Sequence, residues 1–118
     1  MTPTKEEYLF KVHPIFDRNH ERFSTGFNCE DGWFNLLDRI GYWLKFANFA
    51  NLKIVGVKEK FGHMVIDIEH SNKDESFKIN IVLGRIYQDS ALICERCGAR
   101  KKPLEDHCKP MSPFVKIL

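Results

Sequence analysis

Seven apolar residues in the second quarter of the chain recur at the spacing of one helical face. They are Trp33, Leu36, Leu37, Ile40, Trp43, Leu44 and Ala47. Residues three and four positions apart lie on the same side of an α-helix. Asp31 precedes the run, and a carboxylate there can cap the first free backbone N–H groups. The pattern predicts a long amphipathic helix over residues 31–48, and its apolar face requires another element to pack against.

Two runs rich in β-branched residues follow and predict that partner element. They extend from Leu52 to Val57 and from Met64 to Ile68, on either side of a short stretch ending in Gly62. Apolar and polar residues alternate along the second run, as in a strand with one buried face. Glycine accepts the positive φ that a tight turn often requires. We therefore expect a β-hairpin packed on the long helix.

The remaining apolar segments are less decisive. Residues 4–12 predict a short helix that ends before Pro14, because proline disfavours the helical conformation in the preceding residue. Residues 77, 79, 81 and 83 alternate as in a strand, whereas residues 79, 82, 83, 86 and 93 follow a helical spacing. Periodicity alone leaves helix and strand open for this segment.

Length and composition favour one α+β domain over residues 1–118. A chain of 118 residues with 43% hydrophobic and 29% charged residues is ordinary for a globular protein with a single core. No apolar run approaches the roughly 20 residues of a membrane span. Lys5, Glu6 and Glu7 occupy the place of a signal peptide's apolar region. We expect a cytoplasmic protein without a membrane partner, whose four cysteines are metal ligands or free thiols.

The cysteines near the C-terminus predict a metal site. Cys94 and Cys97 are separated by two residues and followed by Gly98, which is the pattern of half a zinc knuckle. A complete tetrahedral site needs two more ligands, and His107 and Cys108 are the nearest candidates along the chain. Zinc bound by such a set would be structural.

Other interpretations of these cysteines stay open. Adjacent residues rarely both face one ion, so Cys29, His63 or His70 could supply the fourth ligand through the fold. A lone C-x-x-C is also a redox motif, although no βαβ pattern surrounds it here. The motif could also remain from a metal site that has been lost.

The net positive charge of the chain lies in its C-terminal segment. From residue 94 onward there are six Lys or Arg against three Asp or Glu, whereas residues 1–93 hold twelve against thirteen. Candidate phosphate-binding residues are Arg96, Arg100, Lys101, Lys102 and Lys109. No aromatic residue lies between Cys94 and Pro113 to stack on bases, which weakens a nucleic-acid role. A solvated basic turn is the simpler interpretation.

No catalytic motif stands out among the histidines and carboxylates. The sequence contains no H-E-x-x-H, no phosphate-binding loop and no G-x-S-x-G. We predict no catalytic residues and no enzymatic activity.

Three motifs in order along the chain resemble one known family. Residues 26–37 read G-F-N-C-E-D-G-W-F-N-L-L, residues 57–62 read V-K-E-K-F-G, and residues 90–98 read S-A-L-I-C-E-R-C-G. Over roughly residues 13–98 the chain is similar to small uncharacterised proteins of bacteriophages and prophages, which share F-x-C-G-D-G-W, V-K-E-K-F-G and C-E-x-C-G. Glu30 replaces the family's usual glycine.

The resemblance implies a helix over residues 75–91 and a zinc site with Cys94 and Cys97 as ligands. The family usually closes that site with C-x-x-H, whereas this chain has His107-Cys108 followed by Pro110. The expected fold is a long helix on a β-hairpin, a second helix and a C-terminal zinc-knuckle-like turn. Residues 1–93 would form the core, and residues 94–118 a metal-organised basic tail.

The resemblance also guides the expected function, although the family carries no established activity. Small accessory proteins of phages often act by occluding a partner. We therefore expect a phage-encoded, non-enzymatic binding protein that acts on a host protein or complex, such as an inhibitor of host defence, in the bacterial cytoplasm. The alternative is a nucleic-acid-binding zinc protein.

Overall fold

The fold combines three α-helices with one antiparallel hairpin. The computed structural model describes residues 1–49, 51–71, 73–103, 105 and 108. Its main elements are α1 (Pro3–Val12), α2 (Phe34–Ala47), β1 (Lys53–Lys60), β2 (His63–Glu69) and α3 (Ser76–Ser90). Short 3₁₀ turns lie at Glu21–Phe23, Asp31–Trp33 and Lys73–Glu75. The α+β class expected from the sequence is confirmed.

The helical segment over residues 31–48 differs in two ways from its prediction. It begins with the 3₁₀ turn Asp31–Trp33 before α2 starts at Phe34. Its buried apolar side chains are Trp33, Leu36, Leu37, Ile40 and Leu44. Trp43 and Ala47, predicted for the same face, are exposed instead, and Trp43 shows 45% of its surface. The apolar stripe in the sequence is therefore wider than the face that the core covers.

Asp31 does not cap its own helix. Neither the 3₁₀ turn nor α2 begins with a side-chain cap. The Asp31 carboxylate instead accepts hydrogen bonds from the backbone N–H of Thr2, at 2.8 Å, and from Lys5 Nζ, at 3.4 Å. Thr2 precedes the first residue of α1. The carboxylate thus stabilises the start of α1, where negative charge is favourable.

The hairpin is longer than its prediction because its turn has only two residues. Phe61 and Gly62 have φ values of 53° and 80°, and two successive positive φ angles are typical of a type I′ turn. Residues 58–60, expected to belong to the connection, pair with β2 instead. The Phe61 side chain exposes 84% of its surface. Its positive φ is one that residues other than glycine, asparagine and aspartate rarely adopt.

One hydrophobic core connects the helices and the hairpin. α1 packs on α2, and α3 packs on β2 through residues that include Ile79 and Ile86. Residues 77–84 are therefore helical, which resolves the ambiguity left by the sequence. The end of α1 at Val12 agrees with the stop predicted before Pro14. No helix in the described part of the chain is long and apolar enough to cross a membrane.

Candidate metal centre

A tight turn after α3 holds the first two cysteines, and we call residues 92–101 the knuckle. Cys94 N–H donates to the carbonyl of Ala99 at 2.7 Å, and Gly98 N–H donates to that of Cys94 at 2.8 Å. Gly98 takes a φ of +81°, which glycine adopts without strain. The sequence C-x-x-C-G therefore folds into a narrow loop that turns both cysteines toward one side.

Three thiols meet at this loop. The sulfur atoms of Cys94, Cys97 and Cys108 all lie within 4.8 Å of one another. Two thiolates on one tetrahedral zinc ion lie about 3.8 Å apart, because each Zn–S bond is about 2.3 Å long. A small inward movement would bring the three sulfur atoms to ligand distance. The donor set is that of a soft, thiophilic metal ion.

The predicted ligands divide into three groups. Cys94, Cys97 and Cys108 are brought together, and His107 lies outside the described residues. Within the described ranges, Cys29, His63 and His70 do not join this cluster. Cys29 is buried next to the N-terminus, and its carbonyl accepts a hydrogen bond from the Met1 ammonium at 2.6 Å. None of these three side chains is therefore placed as a fourth ligand.

The electrostatics of the cluster favour a thiolate at Cys94. Burial opposes ionisation, but hydrogen bonds from the backbone N–H groups of Cys97 and Arg96 and from the neighbouring thiols lower the pKa of Cys94 to about 6. The Cys108 thiol donates to the sulfur atoms of Cys97 and Cys94. Ionisation would remove the donated proton, so these hydrogen bonds raise the pKa of Cys108 to about 12. A bound cation would replace that proton as the shared partner of the thiolates.

Backbone contact joins the knuckle to the start of α2. A Cβ atom added to Gly32 would lie 2.3 Å from the carbonyl oxygens of both Cys94 and Glu95. A Cβ added to Gly98 would lie 3.0 Å from the Gly32 carbonyl oxygen. The glycines of D-G-W and C-E-R-C-G thus allow two backbone segments to touch at about van der Waals distance.

Side-chain hydrogen bonds reinforce this contact. Trp33 is fully buried, and its Nε1–H donates to the carbonyl of Ile93 at 3.0 Å. Glu30 N–H donates to the Glu95 carboxylate at 3.1 Å, and Arg96 Nε donates to the Glu30 carboxylate at 3.2 Å. Residues 93–96 are therefore held by the segment that leads into α2.

Sequence reasoning found the two motifs but not their contact. The division of the chain at residue 94 stays a prediction for the tail as a whole. For the knuckle itself, the contacts of Gly32 and Trp33 argue against folding apart from the core. The available signal was the glycine-tryptophan pair, since glycine marks close backbone approach and a tryptophan N–H requires a buried acceptor.

The basic residues near the knuckle are partly engaged within the protein. Arg96 also donates to the carbonyl of Cys108 at 3.1 Å, which ties the third cysteine to the knuckle. Lys101 Nζ donates to the carbonyl of Lys102 at 3.3 Å. Arg100 and Lys102 are exposed, and Lys109 lies outside the described residues. Two of the four described residues predicted to bind phosphate, Arg96 and Lys101, are thus engaged in hydrogen bonds within the protein.

A second polar cluster, which the sequence did not reveal, lies between α1 and α2. His13 is buried, and its Nε2 lies 2.7 Å from Asp38 Oδ1. The hydroxyl of Tyr8 bonds to Tyr42 and Asp38, and these bonds with burial raise the pKa of Tyr8 to about 12. A Cβ added to Gly41 would come within 2.4 Å of the His13 ring. The cluster fixes the two helices against each other.

Comparison with known proteins adds no assignment, since the chain matches no protein-family model, no curated protein and no solved structure.

Proposed function

We propose that this chain is a non-enzymatic binding protein, of the kind that bacteriophages encode against host proteins, with a structural zinc ion at Cys94, Cys97 and Cys108. The observation that carries the proposal is the exposed aromatic surface. Tyr42, Trp43 and Phe46 lie within five residues of one another on α2 and expose 44%, 45% and 84% of their surface. Large exposed apolar side chains mark interaction sites when they are not scattered singly. Occlusion of a host protein, such as a component of a defence system, is the action that this surface supports.

The zinc ion is assigned a structural role. Three cysteine sulfurs surround the candidate site, and sulfur-rich sets are typical of structural zinc. The site also lies against the start of α2, so that metal binding would stabilise the contact between the knuckle and the core.

The alternative, a nucleic-acid-binding zinc protein, has less support. Arg96 is exposed but paired with Glu30, which leaves Arg100 and Lys102 as the other exposed basic residues in the described part of this region. Affinity for nucleic acid depends mainly on the number of phosphates that a protein neutralises.

Metal content provides the first test. We expect purified protein prepared without chelator to carry one zinc ion per chain. Loss of a group that hydrogen-bonds to a metal ligand typically costs about 10–100-fold in metal affinity, so removal of a ligand itself by Cys108→Ser should cost at least tenfold. Elemental analysis and competition with a chromophoric chelator measure both quantities.

Cys29→Ala is the matched control, because Cys29 is a buried thiol outside the cluster. It should retain the wild-type zinc affinity. A wild-type protein without metal, or a Cys108→Ser variant with unchanged affinity, would contradict the zinc assignment.

Capture of a partner tests the binding function. Immobilised protein should retain a bacterial protein from nuclease-treated lysate, and the retained protein should stay bound as salt is raised from about 50 to 200 mM. Binding of nucleic acid would weaken by orders of magnitude over the same range if several phosphates were contacted. Retention of nucleic acid alone would favour the alternative, and retention of nothing would contradict both.

A further inference from the structure

The outer side of α2 carries aromatic residues where a surface helix usually carries polar ones. Asn35, Arg39, Tyr42 and Phe46 follow the i, i+4, i+7, i+11 spacing of one stripe, and all four are exposed. Trp43 borders the stripe. We call Arg39, Tyr42, Trp43 and Phe46 the docking face. It is one continuous set of side chains on one helix, opposite the buried Leu36, Leu37, Ile40 and Leu44.

The charge on this side of the helix is positive and unpaired. Arg39 and Lys45 are exposed and form no ion pair with any described residue. Asp38 is the only carboxylate of α2, and His13 holds it at 2.7 Å on the flank toward α1. The docking face therefore combines three aromatic rings with a cation and lacks a compensating acid.

One aromatic residue of the face, Tyr42, is held in place before any partner binds. The ring of Tyr42 meets the buried His13 ring edge to face, with centroids 4.6 Å apart. Tyr8 bonds to Tyr42 and Asp38 from α1. Rigid anchors lose little conformational entropy on binding, which favours affinity.

We propose that the docking face inserts into an apolar groove with carboxylates at its rim on a partner protein. This inference rests on the proposed binding function and assigns the surface that performs it. Helices that bind in grooves present anchors at i, i+3, i+4 and i+7, and Arg39, Tyr42, Trp43 and Phe46 have that spacing. Tryptophan, tyrosine and arginine are also the residues most enriched among binding hot spots.

Two other occupants fit the face less well. A second copy of the chain that docked through the same face would place Arg39 and Lys45 against the same cations, since its outer α2 side carries no free acid. A nucleic-acid strand would meet only these two cations on the face, whereas affinity for nucleic acid grows with each phosphate neutralised. A few carboxylates at the rim of a protein groove are enough to complement the two cations of this face.

The test compares purified variants against the purified partner that the wild-type chain retains from bacterial lysate. Phe46→Ala should weaken binding about 30-fold or more, the effect of losing a hot-spot residue. Phe77→Ala is the matched control, because Phe77 is a similarly exposed phenylalanine on α3. The Phe77→Ala variant should change the affinity for the partner less than twofold. Thermal melting of both variants confirms that each is folded.

The acidic rim is tested by charge reversal. Arg39→Glu should weaken binding about tenfold or more, and a Glu→Lys or Asp→Lys change at the rim of the partner's groove should restore it. Failure of every rim substitution to restore binding would overturn the proposed partner chemistry.

Failure of this inference and failure of the binding function give different results. If wild-type protein retains a partner and Phe46→Ala binds it equally well, the docking face is wrong and the binding function stands. If wild-type protein retains nothing, both fail. A dimer in sedimentation experiments that Phe46→Ala dissociates would assign the face to a second copy. Binding of a 20-nucleotide single strand that Phe46→Ala abolishes would assign it to nucleic acid.

Discussion

Replacing Gly32 with alanine is expected to destabilise the protein by roughly 3 kcal/mol and to lower its affinity for the proposed zinc ion. The new Cβ would lie 2.3 Å from the carbonyl oxygens of Cys94 and Glu95. Both obstacles are backbone atoms, so a side-chain rotation cannot relieve the overlap. Overpacking of this kind typically costs about 1–3 kcal/mol and occasionally more. Moving the knuckle away would also displace Cys94, whose sulfur belongs to the candidate metal site.

Urea unfolding with and without zinc, together with chelator competition, measures both effects. Gly84→Ala is the matched control, since a Cβ at Gly84 meets nothing within 4 Å and the residue lies within α3. Alanine is a better helix former than glycine, so this variant should be more stable by about 0.5–1 kcal/mol. A Gly32→Ala variant with wild-type stability and zinc affinity would show that the knuckle moves independently of α2, as a separate tail implies.

Local patterns were sufficient for the elements whose apolar residues are buried. The alternation of Met64, Ile66 and Ile68 identified β2, because each of these side chains packs toward the core. The Cys94–Cys97 spacing indicated that these two thiols would lie close together, because a short loop determines which groups can meet. These predictions depend on residues a few positions apart, so the local sequence is sufficient to make them.

The same patterns were misleading where apolar residues are exposed. Phe77 and Ile81 made residues 77–84 resemble a strand, yet both lie on the outer side of α3 and expose more than half of their surface. Trp43 was assigned to the core for the same reason and is half exposed. Periodicity reports which residues are apolar, and it cannot distinguish an apolar residue in the core from one on the surface.

Contacts between segments that are distant along the chain could not be predicted from local sequence patterns. Gly32 and Cys94 are 62 positions apart, and His13 and Asp38 are 25 apart. The glycine at position 32 permits a close backbone approach, but the local sequence does not tell which segment approaches it. The Asp31 carboxylate followed the local rule for a helix cap, but the backbone N–H of Thr2 provides its partner. Tertiary contacts of this kind override local preferences because they satisfy groups that the local segment leaves free.

Replacing Trp33 with alanine is expected to cost about 3–5 kcal/mol of unfolding free energy, the usual range for truncating a buried large aromatic side chain. Trp33 is fully buried, and it lies where the segment leading into α2 meets the knuckle. The substitution removes this packing and leaves the Ile93 carbonyl without its 3.0 Å hydrogen bond. Because Ile93 directly precedes Cys94, zinc affinity should fall together with stability. Thermal and urea unfolding, with metal competition, provide both numbers.

Trp33→Phe and Trp43→Ala separate the causes. Phenylalanine retains most of the packing but cannot donate to Ile93, so Trp33→Phe should cost about 2 kcal/mol, within the usual penalty for an unsatisfied buried acceptor and a partly lost ring. Trp43→Ala removes the same type of side chain from the surface of α2, where substitutions rarely exceed about 1 kcal/mol. If Trp33→Ala unfolded at the same denaturant concentration as Trp43→Ala, Trp33 would not connect the knuckle to the core. If its stability fell but zinc affinity did not, the metal site would form without support from α2.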